Sequence, residues 1–186
     1  MRLFTAITLP EDLRTGIRRL IDALGVSGAP VKWVKPENVH LTLRFLGEVE
    51  ENRINDIYEV TRLASKGIRE FSLRVEHVGA FPTLKRPRVV WVGVQSSPVL
   101  STLHSRLEEG FHAIGFASEK KPYTPHLTIG RVKGTRGLEP LTGGLAHASF
   151  PPFTFMVGNI KIIESVLKPQ GPIYTTIGEL PLETPA

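Results

Sequence analysis

The sequence predicts an α+β fold with two pseudo-symmetric lobes around a central cleft. The first observation is that Val39–Leu43 (VHLTL) recurs as Pro125–Ile129 (PHLTI), with the histidines 86 residues apart. The second is that a strand-like run, Leu3–Leu9, is followed at the same offset by another, Val89–Gln95. Strand, helix and strand thus follow in the same order twice, which indicates one internal duplication rather than a solenoid of many short repeats. We read residues 1–186 as a single two-lobed domain whose copies cover approximately 1–86 and 87–186.

Helix signals follow the first strand of each copy. In Pro10–Leu24 the apolar residues recur at helical spacing, Pro10 suits the first turn, and Gly25 is a natural stop. In the second copy Ser97 is the expected N-cap, and the apolar stripe ends at Gly115. Each helix then leads through a loop into the strand that carries the histidine.

The connections after the histidine strands differ between the copies. The first copy has an amphipathic segment over Asn52–Ser65, with Ile54, Ile57, Tyr58 and Leu63 on or near one face. The second has Gly134–Pro152, which is rich in Gly and Pro and is expected to be mostly loop.

Composition limits the chemistry and the surroundings of the chain. The 186 residues carry a formal net charge of +5, which suits a polyanionic partner. Because the chain has no Cys, disulfides, thiolate metal sites and cysteine nucleophiles are excluded. No apolar run approaches the length of a membrane span or a signal peptide, so we expect a cytoplasmic protein without a membrane segment, and a monomer.

The repeated His-x-Thr places two kinds of side chain on one strand face. His40 and Thr42 point to one side of their strand, as do His126 and Thr128 of theirs. Two imidazoles can serve as acid and base on opposite sides of one reacting centre, because imidazole titrates near neutral pH. The hydroxyls can donate to the oxygens of a phosphate between them. The symmetry of the motifs does not assign which histidine is the acid.

Other interpretations of the motifs remain open from the residues alone. A duplication can retain a histidine for structural reasons. Two histidines supply half of a tetrahedral zinc shell, and no acidic residue lies at metal-motif spacing, so no metal and no cofactor is expected. His77, His104, His112 and His147 are assigned no role.

Basic and aromatic residues near the motifs are secondary candidates. Arg131 can bind a phosphate, although a regular strand would place it on the face opposite Thr128. Lys133 and Lys168 can extend a path for an RNA backbone. Phe45, Trp33 and Tyr123 can stack a base, but core packing is the expected role of Trp33 and Phe45, while Tyr123 is undecided.

The chain resembles the 2H phosphoesterase superfamily, and within it the RNA 2',3'-cyclic phosphodiesterases, also called LigT-like or 2'-5' RNA ligase-like proteins. The two HxTx motifs are His40–Leu43 and His126–Ile129. The likeness covers essentially the whole chain and extends to these segments: Arg2–Ile7, Trp33–Asn38, Phe45–Gly47, Pro122–Pro125, Gly130–Arg131, Glu164–Ser165 and Gly171–Tyr174.

The resemblance implies antiparallel sheets with flanking helices around the cleft. It implies a hydrolase that opens a terminal 2',3'-cyclic phosphate of RNA to a 2'-phosphate without a metal, and it links such proteins to reversible 2'-5' RNA ligation. His40 would be the proton donor and His126 the proton acceptor, with Thr42 and Thr128 holding the phosphate. Arg131 matches the family's position after the second motif.

Two other functions compete with this one. The cleft can be a binding module for RNA or nucleotides that does not turn them over. It can also be a phosphodiesterase for a small cyclic phosphate.

Overall fold

The computed structural model describes residues 1–184, which form four α-helices and nine β-strands. The helices are α1 (Glu11–Gly25), α2 (Ile54–Ser65), α3 (Pro98–Ala113) and α4 (Glu139–His147). The strands are β1 (Arg2–Thr8), β2 (Val31–Trp33), β3 (His40–Glu48), β4 (Phe71–Thr83), β5 (Arg86–Val94), β6 (His126–Val132), β7 (Phe153–Val157), β8 (Asn159–Val166) and β9 (Ile173–Pro181).

The strands form one antiparallel sheet rather than two separate ones. Its order is β7-β4-β5-β6-β3-β1-β8-β9, and β2 pairs with β6. The two halves meet where β3 pairs with β6, through the single position Leu41–Leu127. The predicted α+β class with antiparallel pairing is therefore confirmed, and each lobe is half of a shared sheet.

Each half of the sheet combines strands from both halves of the sequence. Strands β8 and β9 add to the half that β1 and β3 begin, because β8 pairs with β1. Strand β4 precedes residue 86 but pairs with β5, and β7 pairs with β4. This exchange of strands was not predicted.

The helix start at Ser97 is confirmed. The backbone N–H of Leu100 donates to the Ser97 hydroxyl over 3.2 Å. Leu103, Leu107 and Phe111 are fully buried on the inner face of α3, as their spacing predicts.

The connecting segments differ in two details from what the sequence predicts, although the predicted helix before Ser65 is present as α2. In α2, Tyr58 and Leu63 are 43% and 52% exposed, and the inner face is formed by Ile57, Val60, Thr61 and Ala64. Part of the expected loop at 134–152 is α4, whose Leu141 and Leu145 are buried one turn apart. Burial of this pair outweighs the low helix propensity of the glycines in the segment.

The core lies on the sheet face opposite the motif side chains. Leu41, Leu43, Leu127 and Ile129 alternate with the histidines and threonines and are at most 1% exposed. None of the helices described has the length and apolar content needed to cross a bilayer.

Candidate active site

The two motifs meet in one cleft of about 480 Å³. Antiparallel pairing of Leu41 with Leu127 brings His40 level with Thr128 and His126 level with Thr42. All four side chains line the cleft. Each histidine is thus brought beside the threonine of the other copy, and both imidazoles face the same space.

The backbone orients both imidazoles in the same way. His40 Nδ1 lies 2.7 Å from the carbonyl oxygen of Asn38, and His126 Nδ1 lies 2.7 Å from that of Thr124. Because a carbonyl only accepts, Nδ1 carries a hydrogen and donates in both rings. The neutral imidazole therefore keeps its lone pair on Nε2, where it can accept a proton.

His40 sits in the more enclosed half of the cleft. Its ring stacks on Phe4 with centroids 4.7 Å apart, and Tyr174 meets it edge-on at 5.3 Å. Burial lowers the pKa of His40 below its ordinary 6.5; the hydrogen bond to Asn38 opposes this effect, and the charge of Arg131 adds to it. Asn38 also donates from its side chain to the carbonyl of Pro172 over 3.1 Å, which joins this half-site to the β8–β9 loop.

His126 has a different aromatic neighbour. The ring of Phe81 meets His126 nearly perpendicularly, at 88° with centroids 5.0 Å apart. Phe81 in turn packs against Trp91, with centroids at 5.2 Å. The two histidines therefore differ in environment, although their backbone hydrogen bonds match.

Matching β-bulges place Phe45 and Arg131 at the cleft. The ladder between β1 and β3 skips Leu43, and the ladder between β5 and β6 skips Ile129. An extra residue reverses the alternation of a strand. The residue three positions after each threonine therefore returns to the threonine's side and lines the cleft: Phe45 in one copy and Arg131 in the other.

The expectation that Phe45 packs in the core was therefore wrong. Its ring is 41% exposed, and the Arg2 guanidinium lies over it, 5.0 Å from the centroid. Trp33 is half-buried, packs against the core as expected, and also lines the cleft.

The cleft carries positive charge only. Among the described residues that line it, five are Arg or Lys and none is Asp or Glu: Arg2, Lys32, Lys35, Arg131 and Lys133. Lys133, which the sequence offered as part of an RNA path, is in this set, and Lys168 is not. The lining suits a polyanion.

Tyr123 braces the site from outside the cleft. Its hydroxyl donates to the carbonyl of Thr42 over 3.0 Å, and its ring stacks on His104 at 3.9 Å and 10°. The segment that leads into β6 thus holds the backbone of the other motif. Among residues 1–184, Tyr123 is not one of those that line the cleft. The role that the sequence left undecided for Tyr123 is therefore packing.

Sequence reasoning missed Asn38, Phe4, Tyr174 and Lys32. Phe4 and Tyr174 come to His40 through β8 and β9, whose pairing with β1 has no local signal. Lys32 lies on β2, which is too short to be recognised from a pattern. In the part of the chain that the structure describes, no three His, Asp or Glu side chains converge as metal ligands.

An α+β fold whose antiparallel sheet joins two histidine–threonine motifs in a cationic cleft defines a protein of the two-histidine phosphoesterase class. The family model for the 2'-5' RNA ligase superfamily matches residues 12–168. The chain belongs to this superfamily, and the resemblance predicted from the motifs is confirmed.

Two curated relatives and a solved structure agree with this placement. The chain is 39% identical to the RNA 2',3'-cyclic phosphodiesterase of Methanothermobacter thermautotrophicus, over 94% of this chain and 95% of that protein. It is 38% identical to the RNA 2',3'-cyclic phosphodiesterase of Thermotoga maritima, over 98% and 96%. The crystal structure of TT0787 of Thermus thermophilus has a TM-score of 0.81 and 28% identity, covering 99% of both chains. Both curated relatives therefore carry the name of the predicted enzyme class, RNA 2',3'-cyclic phosphodiesterase.

Proposed function

We propose that this chain hydrolyses the 2',3'-cyclic phosphate at the end of an RNA to a 2'-phosphate. The observation that carries the proposal is the pair of imidazoles in one cleft, each with Nδ1 tied to a backbone carbonyl and Nε2 left to exchange a proton. An in-line displacement at phosphorus needs proton transfer on both the entering and the leaving side.

The proposed reaction uses one proton acceptor and one proton donor. A water oxygen attacks phosphorus and gives a proton to Nε2 of His126, while the bond from phosphorus to the 3'-oxygen breaks. His40, protonated at Nε2, gives its proton to that oxygen. The next cycle begins after the two imidazoles have exchanged these protons with solvent.

The donor role of His40 requires its imidazolium form, which burial disfavours in the free protein and a bound substrate favours. Burial lowers its pKa, which makes the imidazolium a stronger acid. A bound phosphate supplies a negative charge that favours the protonated form before reaction. The stacked Phe4 ring stabilises the same cation.

Thr42, Thr128 and Arg131 are the proposed phosphate-binding residues. The hydroxyls lie level with the opposing histidines and donate to the non-bridging oxygens. Arg131 adds a fixed positive charge on the same side of β6. The exposed face of Phe45 offers a stacking surface for the terminal base. This scheme uses no metal and no cofactor.

The experiment is the opening of a short RNA that ends in a 2',3'-cyclic phosphate, in excess EDTA. Wild type is compared with His40→Ala and His126→Ala, and the exposed His147→Ala serves as the matched control. Phosphatase sensitivity and mass spectrometry identify the product, and circular dichroism verifies folding.

We expect a 2'-phosphate product from the wild type and the control. Each motif variant should lose a factor of about 100 to 10,000 in kcat, as is typical for a general acid or base. A folded His40→Ala protein with normal turnover would refute the pairing. Binding of the RNA by wild type without any product would favour the binding module instead.

A further inference from the structure

Three lysines extend the positive charge of the cleft away from the reacting groups. Lys32 is paired with Arg131 across the β2–β6 ladder, so the two side chains project from the same face. Lys133 lies one residue beyond the end of β6, two positions after Arg131, and lines the same cleft. Lys35 follows β2, and all three lysines line the cleft and are exposed. We call Lys32, Lys35 and Lys133 the lysine row.

The lysine row has no internal counter-charge. Within residues 1–184, neither the three lysines nor Arg131 forms an ion pair, whereas Arg14, Arg53, Arg62 and Arg74 each pair with a carboxylate. Like charges directly opposite each other on a ladder destabilise a sheet. Lys32 and Arg131 are such a pair, so an anion placed between them would relieve a repulsion built into the fold.

The position of the lysine row indicates which kind of anion would bind there. Arg131 lies at the reacting phosphate in the proposed function. The row continues from it to Lys32 on β2 and to Lys35 and Lys133, which follow the ends of β2 and β6. Two residues of extended backbone span about 7 Å, so Arg131 and Lys133 have a spacing that suits successive phosphates of an extended chain. A cyclic mononucleotide has a single phosphate and cannot reach both positions.

We propose that the lysine row binds the phosphodiesters that precede the cyclic end, so that the enzyme selects oligoribonucleotide ends over cyclic mononucleotides. This inference rests on the proposed function and specifies the substrate length for the same cleft. It also separates RNA from the small cyclic phosphates that the sequence left open as substrates.

The test compares a nucleoside 2',3'-cyclic monophosphate with a tetranucleotide that ends in the same cyclic nucleoside. The double variant Lys32→Gln/Lys133→Gln is measured beside Lys66→Gln/Lys85→Gln, which removes the same charge from exposed positions outside the cleft. The readouts are kcat/KM for both substrates and the dependence of the tetranucleotide value on salt.

We expect wild type to prefer the tetranucleotide by at least about tenfold, and the row variant to lower that preference about tenfold. Each phosphate contact to a single strand contributes roughly −0.7 to the slope of log affinity against log salt. Removing two contacts should therefore reduce the slope by about 1.4, and the control should retain both preference and slope.

Equal wild-type efficiency on the two substrates would overturn the inference, as would an equal loss on both substrates in the row variant. If neither substrate is opened, the proposed function fails, and the row is then tested by binding. A tetranucleotide with a 2'-phosphate end should bind the row variant more weakly than the control, and equal affinities would refute the inference.

Discussion

Replacing Tyr123 with Phe tests whether the two half-sites are held together by the Tyr123 brace. The sheet joins its halves through one ladder position. The Tyr123 hydroxyl adds a bond from the segment before β6 to the carbonyl of Thr42. Tyr123→Phe removes this hydrogen bond and leaves the ring stacked on His104.

The expected magnitude follows from one partly buried hydrogen bond. Its net contribution to folding is about 0.5–1.5 kcal/mol. If the bond favours the orientation of Thr42 that binds phosphate, the same free energy lowers kcat/KM about two- to tenfold. Burial raises the pKa of Tyr123, so the hydroxyl stays protonated and the loss should be the same across the pH range of the assay.

Urea unfolding and kcat/KM on a cyclic-phosphate RNA are the two measurements. Tyr58→Phe is the matched control, because Tyr58 lies on the outer face of α2 and is 43% exposed. If Tyr123→Phe matches this control in both stability and activity, the brace has no role. A loss of stability with normal kcat/KM would limit Tyr123 to folding.

The remaining predictions concern charge, packing and ion pairs. In an NMR titration the pKa of His40 should lie below 6.5 in the free protein and rise when inorganic phosphate is added; a pKa that does not change with phosphate would contradict the proposed phosphate site. Because the unfolded chain binds this proton more tightly than the free folded protein does, the free energy of unfolding should fall as pH drops below 6.5. Gly130→Ala places a Cβ 2.8 Å from β2 side chains and should destabilise the protein by about 1–3 kcal/mol. Gly143→Ala instead meets open space in α4 and should stabilise the protein by about 0.5–1 kcal/mol. Equal urea midpoints for the two variants would refute the packing argument. Arg44→Met removes a buried guanidinium from the partly exposed carboxylates of Glu108 and Glu119 and should lower the free energy of unfolding by about 1–3 kcal/mol. The exposed Arg62→Met should leave the free energy of unfolding nearly unchanged. Similar losses in the two variants would show that the burial of Arg44 does not matter.

The motifs, the first strands and the main helices could be predicted because their signals are local. The spacing of Leu103, Leu107 and Phe111 indicates one face of a helix, and Ser97 indicates where that helix starts. The placement of His40 and His126 in one cleft followed from the repeat, since duplicated strands tend to occupy equivalent places in a sheet.

The rest depends on contacts between distant segments. Strict alternation places Arg131 and Phe45 away from the cleft, and only the bulges at Ile129 and Leu43 bring them back. A bulge is set by the register of the neighbouring strand, which the sequence of one strand does not report. In the same way, α4 forms because Leu141 and Leu145 find a surface to cover, against the propensity of its own glycines.

The exchange of strands between the half-sheets has a consequence for how the protein folds. A fragment that ends in the turn at Leu84–Lys85 would carry β4 without β5, its central neighbour, and β1 without β8. The second fragment would carry β5 without β4, and β8 without β1. Neither copy of the duplication can therefore complete its sheet from its own residues, although the copies resemble each other. The two half-sites should consequently form in one cooperative transition, which couples the integrity of each histidine's surroundings to the folding of the whole chain.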